Sequence, residues 1–285
     1  MSVELSLEAI DSSLSEQSRA YLEALAATLE ADEVASILLF GSVVSGETTT
    51  ISDVDLVVVL ESDASAAALD RVAADCDRLA AAYLDVGTDD RSTLERVLER
   101  ATGMFRSGFV TTEAAVRAGE FPAVFNTSSI APFVAPWRTV LFGVFETGIT
   151  IYGSPVRPQW EAVGTPTEYR YRELCRSLLI TVALAAAQSG YCLVSSRAID
   201  YSLEAAKWTA YNCAFHLEEE PPGSLDRALD RLPVPDWYRR RFTTLRSEPG
   251  LDLGFVLVTP LVLVYAHLMT IGRVVRSEYS DERRE

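Results

Sequence analysis

Lysine is almost missing from this chain of 285 residues: Lys207 is the only one, and every other cationic side chain is arginine. Histidine is nearly as scarce. His216 and His267 stand far apart, which excludes any familiar order of a Ser-His-Asp triad and speaks against a His/Cys metal site. The four cysteines, Cys76, Cys175, Cys192 and Cys213, form no C-x-x-C pair. They are therefore expected to be reduced core residues of a cytosolic protein, not a disulfide framework. No Gly-Lys-Ser/Thr occurs, so there is no Walker P-loop. Long basic runs are lacking too: Arg239-Arg240-Arg241 is the one basic triplet, read as a solvated face. With a net charge of −16, the field repels phosphate backbones and anionic lipid, so neither a nucleic acid nor a membrane is an expected partner.

Hydrophobic residues make up 48% of the chain, enough for one large core or two ordinary ones. The arginine-for-lysine bias and the excess of acid resemble the composition of halophilic archaeal proteins. Met1 to Glu16 is acidic and has no charged-then-apolar leader, so a cytoplasmic protein without a signal peptide is expected. Leu253 to Gly272 is a run of twenty residues without Asp, Glu, Lys or Arg, long enough to span a bilayer. It also holds Thr259-Pro260 and His267, and is read as a buried helix packed on the apolar stretch Leu178 to Ala187.

Helix and strand alternate in the first half. Leu14, Tyr21, Leu25 and Leu29 mark a helix over Ser13–Glu30. Ala35–Phe40 and Val54–Leu60 read as buried strands, Asp63–Ala82 as a helix, and Tyr83–Val86 as a third short strand. Leu94–Ala101 is expected to be helical, Met104–Thr111 and Ala123–Phe125 extended, Trp137–Phe145 helical and Ile149–Tyr152 a last strand. Three prolines and a glycine between Ser154 and Pro166 form a linker signature. Beyond it the helical period takes over: Glu168–Ser189, Arg197–Leu217, Leu225–Leu232, Trp237–Ser247 and Leu253–Tyr279. The class reads as α+β, with α/β open: a first domain over residues 1–155, with its core at 31–90, then a helical bundle over 156–285.

One stretch carries chemistry: Phe40-Gly41-Ser42, ten residues, then Asp53-Val54-Asp55-Leu56. A strand ending at Gly41 lets a ligand approach the backbone, and Ser42 adds a hydroxyl beside peptide N–H groups able to meet an anion. Asp53 and Asp55 stand two apart on a strand, so both carboxylates face the same way. Crowded carboxylates repel unless a cation sits between them. Mg²⁺ is held by one or two carboxylates plus substrate phosphates, so the set suits phosphoryl or nucleotidyl transfer.

These residues resemble the signature of the DNA polymerase β-like nucleotidyltransferase superfamily: apolar, Gly, Gly or Ser, about ten residues, then Asp, apolar, Asp or Glu, apolar. The resemblance implies a small mixed sheet with flanking helices, two Mg²⁺ ions and an NTP donor. It makes Asp53 and Asp55 metal ligands and catalytic residues, and Gly41 and Ser42 the phosphate holders. It also implies a third carboxylate on a later strand, for which Asp85 in Leu84-Asp85-Val86 is the candidate and Glu113 the substitute. Glu146 to Gly153 is similar to the helix-then-strand closure of such domains. Thr102 to Gly108 resembles a stretch of archaeal members, without attached chemistry. Ser196-Arg197 and Ala205-Ala206-Lys207-Trp208 resemble, faintly, the helical bundles of antibiotic nucleotidyltransferases. The expected activity is transfer of a nucleoside monophosphate to a hydroxyl of a small molecule or protein. An inactive nucleotide-binding protein of the same fold stays open, as do a protein partner and a homo-oligomer.

Overall fold

The computed structural model describes residues 3–45, 54–84, 108–191, 198–248 and 250–282. The chain divides into two compact units: Met1–Pro132 with Val140–Thr165, and Phe133–Thr139 with Pro166–Glu285.

The first unit is built on a mixed sheet of four strands, among the described residues, in the order β3-β2-β1-β4. They are β1 (Val34–Phe40), β2 (Asp55–Leu60), β3 (Gly108–Thr112) and β4 (Ile149–Gly153). Both neighbours of β1 run antiparallel to it, and β3 runs parallel to β2. Helix α1 (Glu16–Thr28) and helix α3 (Ala66–Tyr83) begin at Ser15 and Ser65. Each serine hydroxyl accepts a backbone N–H of the first turn, from Ser18 and Ala68, which supplies one of the acceptors a helix start lacks. Leu22 and Leu25 of α1 and Val72 and Cys76 of α3 join Ile37, Leu39, Leu56, Val58 and Leu60 in one core. The alternate residues Val57 and Val59 are buried as well. On the face they share, the Phe109 ring meets Phe125 edge-on at 5.1 Å. A sheet covered on both faces explains why β2 reads as an unbroken apolar run.

Two extended readings are corrected. Tyr83 ends α3 and Leu84 caps it; the Ala and Leu run carries the helix through Tyr83, one residue past its expected end, and Asp85 and Val86 lie outside the described residues. Ala123 is helical, in a short turn over Phe121–Val124 opened by Pro122, where proline's fixed φ suits a helix start. The expected helix Leu94–Ala101 also lies outside the described residues.

The second unit is helical. Helix α5 (Arg170–Tyr191), helix α6 (Ala198–Glu218) and helix α8 (Leu253–Glu282) pack on one another, with α7 (Asp236–Ser247) alongside. Helix α4 (Trp137–Thr147) begins in this unit and continues in the first. Buried polar pairs tie these helices together: Thr181 with Thr209 at 3.2 Å, Tyr238 with Thr259 at 3.0 Å, and His267 Nε2 with Ser177 at 2.9 Å. Glu173 is fully buried. It accepts the backbone N–H of Arg138 at 3.0 Å and of Thr139 at 3.4 Å, and meets Arg176 at 2.8 Å. Two expectations change here. The long terminal helix is buried along only one side, with Leu257 and Leu261 on its open side. Cys175 is exposed, whereas Cys76 and Cys213 are buried; Cys192 lies outside the described residues. Among the described residues α8 is the one helix long and apolar enough to cross a membrane.

Candidate active site

Strand register builds the site. Phe40, the last residue of β1, pairs with Asp55, the first of β2, so the turn that follows β1 is carried to the foot of β2. Cross-strand partners share a face, and Asp55 therefore emerges beside the aromatic side of the sheet, where the Phe40 and Phe109 rings lie 6.3 Å apart.

Gly41 turns the chain with φ +75, a left-handed backbone that glycine adopts without steric cost. A Cβ built there would overlap Oδ2 of Asp55 and lie 3.1 Å from its Cγ. The missing side chain is thus the space that the carboxylate occupies. Ser42 opens the short helix α2 (Ser42–Ser45). The Gly41 carbonyl accepts the N–H of Val44 at 3.2 Å and of Ser45 at 3.1 Å, and the Ser45 hydroxyl donates to the Ser42 carbonyl at 3.3 Å. Ser42 and Val43 carry the N–H groups that a helix start cannot satisfy by itself. Val43 is buried and anchors the turn, while Ser42 is half-buried.

A bare backbone, a hydroxyl and a carboxylate at one turn form a hard, oxygen-rich donor set. It fits a divalent cation such as Mg²⁺ bound together with phosphate oxygens. Of the carboxylates singled out in the sequence, Asp55 is the one the described residues bring to this turn. Asp53 and Asp85 lie outside them, as do Ser196 and Arg197. Among the described residues no cluster of three or more His, Cys, Asp or Glu forms a metal site.

Glu113 is excluded as the third carboxylate. The parallel ladder pairs Leu56 with Gly108 and Leu60 with Thr112, so Glu113 follows the far end of β3, roughly 20 Å along the strands from Asp55 at about 3.3 Å per residue. There it bonds Arg117 at 2.6 Å and accepts the Ser62 hydroxyl at 3.2 Å, and the Arg117 guanidinium holds its carboxyl below the usual range. Strand β3 itself, Gly-Phe-Val-Thr-Thr, carries no carboxylate. Helix α6 buries Ala205 and Ala206 in the second unit, and Lys207 pairs with Glu204 at 3.0 Å.

Residues 22–103 match the family described as a nucleotidyltransferase domain. The matched segment takes in the second half of α1, then β1, the Gly41 turn, β2 and α3. No curated protein matches the chain.

Proposed function

From the premise that this chain carries a nucleotidyltransferase domain of the polymerase β-like superfamily, we propose that it transfers a nucleoside monophosphate from an NTP to an acceptor hydroxyl in a Mg²⁺-dependent reaction. The observation that carries the reading is the Asp55 carboxylate seated over the side-chain-free turn at Gly41.

In this reading Ser42 and the adjoining backbone N–H groups hold the terminal phosphates. Asp55 and Asp53 are the metal ligands, and Asp85 is the third carboxylate, which also helps to take the acceptor proton. Bound there, Mg²⁺ neutralises charge on the triphosphate and on the departing pyrophosphate. The acceptor oxygen attacks the α-phosphorus in line. The bond from the α-phosphorus to the bridging oxygen breaks, and pyrophosphate leaves with the electron pair. The net charge of −16 favours a small molecule or protein side chain as acceptor over a long nucleic acid, and a cytoplasmic setting completes the reading.

A second reading has its own support. Strand β3, the neighbour of β2, has no carboxylate, as a nucleotide-binding protein of this fold without turnover would. Two measurements separate the readings: Mg²⁺-dependent NTP binding, and transfer of label from α-labelled NTPs to components of a cell extract at high salt. The transferase reading expects labelled product from the intact chain, a loss of at least about a thousandfold in Asp55→Ala, and no change in Glu113→Gln. Mg²⁺-dependent binding without labelled product in any extract favours the second reading. Binding that is equal in Asp55→Ala and the intact chain defeats both.

A further inference from the structure

Over Leu253–Gly272 helix α8 carries no charged residue on any face, yet only one side of it is covered. Toward the bundle it buries Phe255, Val256, Leu263 and Ala266. Toward solvent, Leu257 is 59% exposed, Leu261 72% and Leu268 57%, and Leu253, Tyr265, Val275 and Tyr279 are each about half exposed. At 100° per residue these positions fall within about 120° of the circumference, so they form one continuous stripe from Leu253 to Tyr279. Leu179 and Val182 of α5 are exposed as well. Taking about 150–250 Å² for a large side chain, the exposed part amounts to on the order of 800–1,000 Å². The largest apolar patch of a monomeric protein is about 300–600 Å², whereas a stable interface buries about 800 Å² per partner.

We infer that this stripe is the two-fold interface of a homodimer in which α8 packs antiparallel against α8 of a second copy. The spacing of the stripe is self-complementary. With the dyad level with Ala266, Tyr265 of each copy lies opposite Leu268 of the other, and Leu257 opposite Val275. The outermost pair is Leu253 with Tyr279. Every pair matches in height to within one residue, about 1.5 Å. Leu261, the most exposed of these side chains, meets Gly272, where a Cβ would have nothing within 4 Å. The most exposed side chain of the stripe therefore faces a glycine of the partner helix, as close helix packing requires. An isologous contact needs this kind of symmetry, and a partner of unrelated sequence does not.

The covered side of the helix argues against a lipid partner. Thr259 is tied to Tyr238, and His267 to Ser177, by buried hydrogen bonds, so the helix cannot leave its bundle for a bilayer without breaking them. Its start is flanked by the exposed pair Arg241–Asp252 at 2.6 Å, and an acidic chain is repelled by anionic headgroups.

Sedimentation of the whole chain at high salt tests the proposal. The expected species contains two chains of 31.2 kDa. Leu257→Glu/Leu261→Glu, which touches only exposed positions, is expected to weaken association at least about a hundredfold, since each change enters the interface twice, with helical content unchanged by circular dichroism. In a Cys175→Ser/Cys192→Ser background, Leu261→Cys/Gly272→Cys is expected to form a cross-linked dimer on oxidation. Leu261→Cys alone is not, because its two copies lie about 16 Å apart, beyond disulfide reach. A single-chain mass at all concentrations overturns the proposal, as does a dimer untouched by the double glutamate. Cross-linking by Leu261→Cys alone overturns the antiparallel register, and recovery only in detergent assigns the stripe to lipid.

Discussion

Replacing Gly41 by alanine tests the geometry of the turn more sharply than removing a carboxylate, because it leaves every candidate ligand in place. Two costs are readable from the structure. A non-glycine residue at φ +75 costs about 1–2 kcal/mol of backbone strain. The new Cβ also overlaps Oδ2 of Asp55 and comes to 3.1 Å from its Cγ, so the carboxylate must shift by roughly an ångström to reach ordinary contact distance. The strain alone lowers the melting temperature by roughly 2–8 °C for a unit of this size. The displaced carboxylate is expected to cost about a hundredfold in transfer rate. A double-mutant cycle with Asp55→Gly separates the two, since the glycine removes the group that the Cβ meets. Thermal melts of the two single variants and the double variant are expected to give a coupling of about 0.5–3 kcal/mol, the double being less destabilised than the sum. Strict additivity would refute the argument that Gly41 exists to seat Asp55.

The second unit yields two further predictions. Burial pushes His216 down to about 3, with the Arg170 charge adding to the effect. The unfolded chain therefore binds more protons than the folded one between about 3 and the ordinary 6.5. Stability is fully present above pH 6.5 and is lost as pH falls through that window, by on the order of 3–5 kcal/mol in all. His216→Gln is expected to flatten this part of the profile in melts taken from pH 4 to 7, and an unchanged slope would refute the assignment. Glu173, pushed up by burial despite the Arg176 charge beside it, holds the N–H groups that open α4. Glu173→Ala removes the acceptor of the Arg138 and Thr139 backbone N–H groups and the carboxylate that meets Arg176, and is expected to cost about 3–5 kcal/mol in urea unfolding. Glu173→Gln keeps an acceptor oxygen and is expected to cost clearly less; equal losses would deny the capping role.

The comparison of sequence with structure turns on particular elements. The strands Val34–Phe40 and Asp55–Leu60 were legible because buried β-branched runs bounded by Gly41 and by polar turns have few other solutions. The helices of the second half were legible from their 3.6-residue period. The boundary near Tyr83 was not: alanine and leucine continue a helix as readily as they start a strand, and local preference could not separate the two. The part of the candidate site that rests on spacing, Gly41-Ser42 followed by Asp55, was legible because the family pattern encodes a hairpin-like return of the chain.

By itself, then, the sequence determined the class of the fold, the turn at Gly41 and the acidic partner brought to it. These depend on contacts between residues near in the chain, where residue type and spacing restrict the geometry. Only the tertiary structure decided which strand lies beside β2, and in which direction. That parallel pairing puts Glu113 at the far end of the sheet from Asp55. It likewise decided which side of Leu253–Gly272 is covered: a helical run without charge on any side carries little signal for its own orientation, and the bundle's buried hydrogen bonds at Thr259 and His267 select the face turned inward.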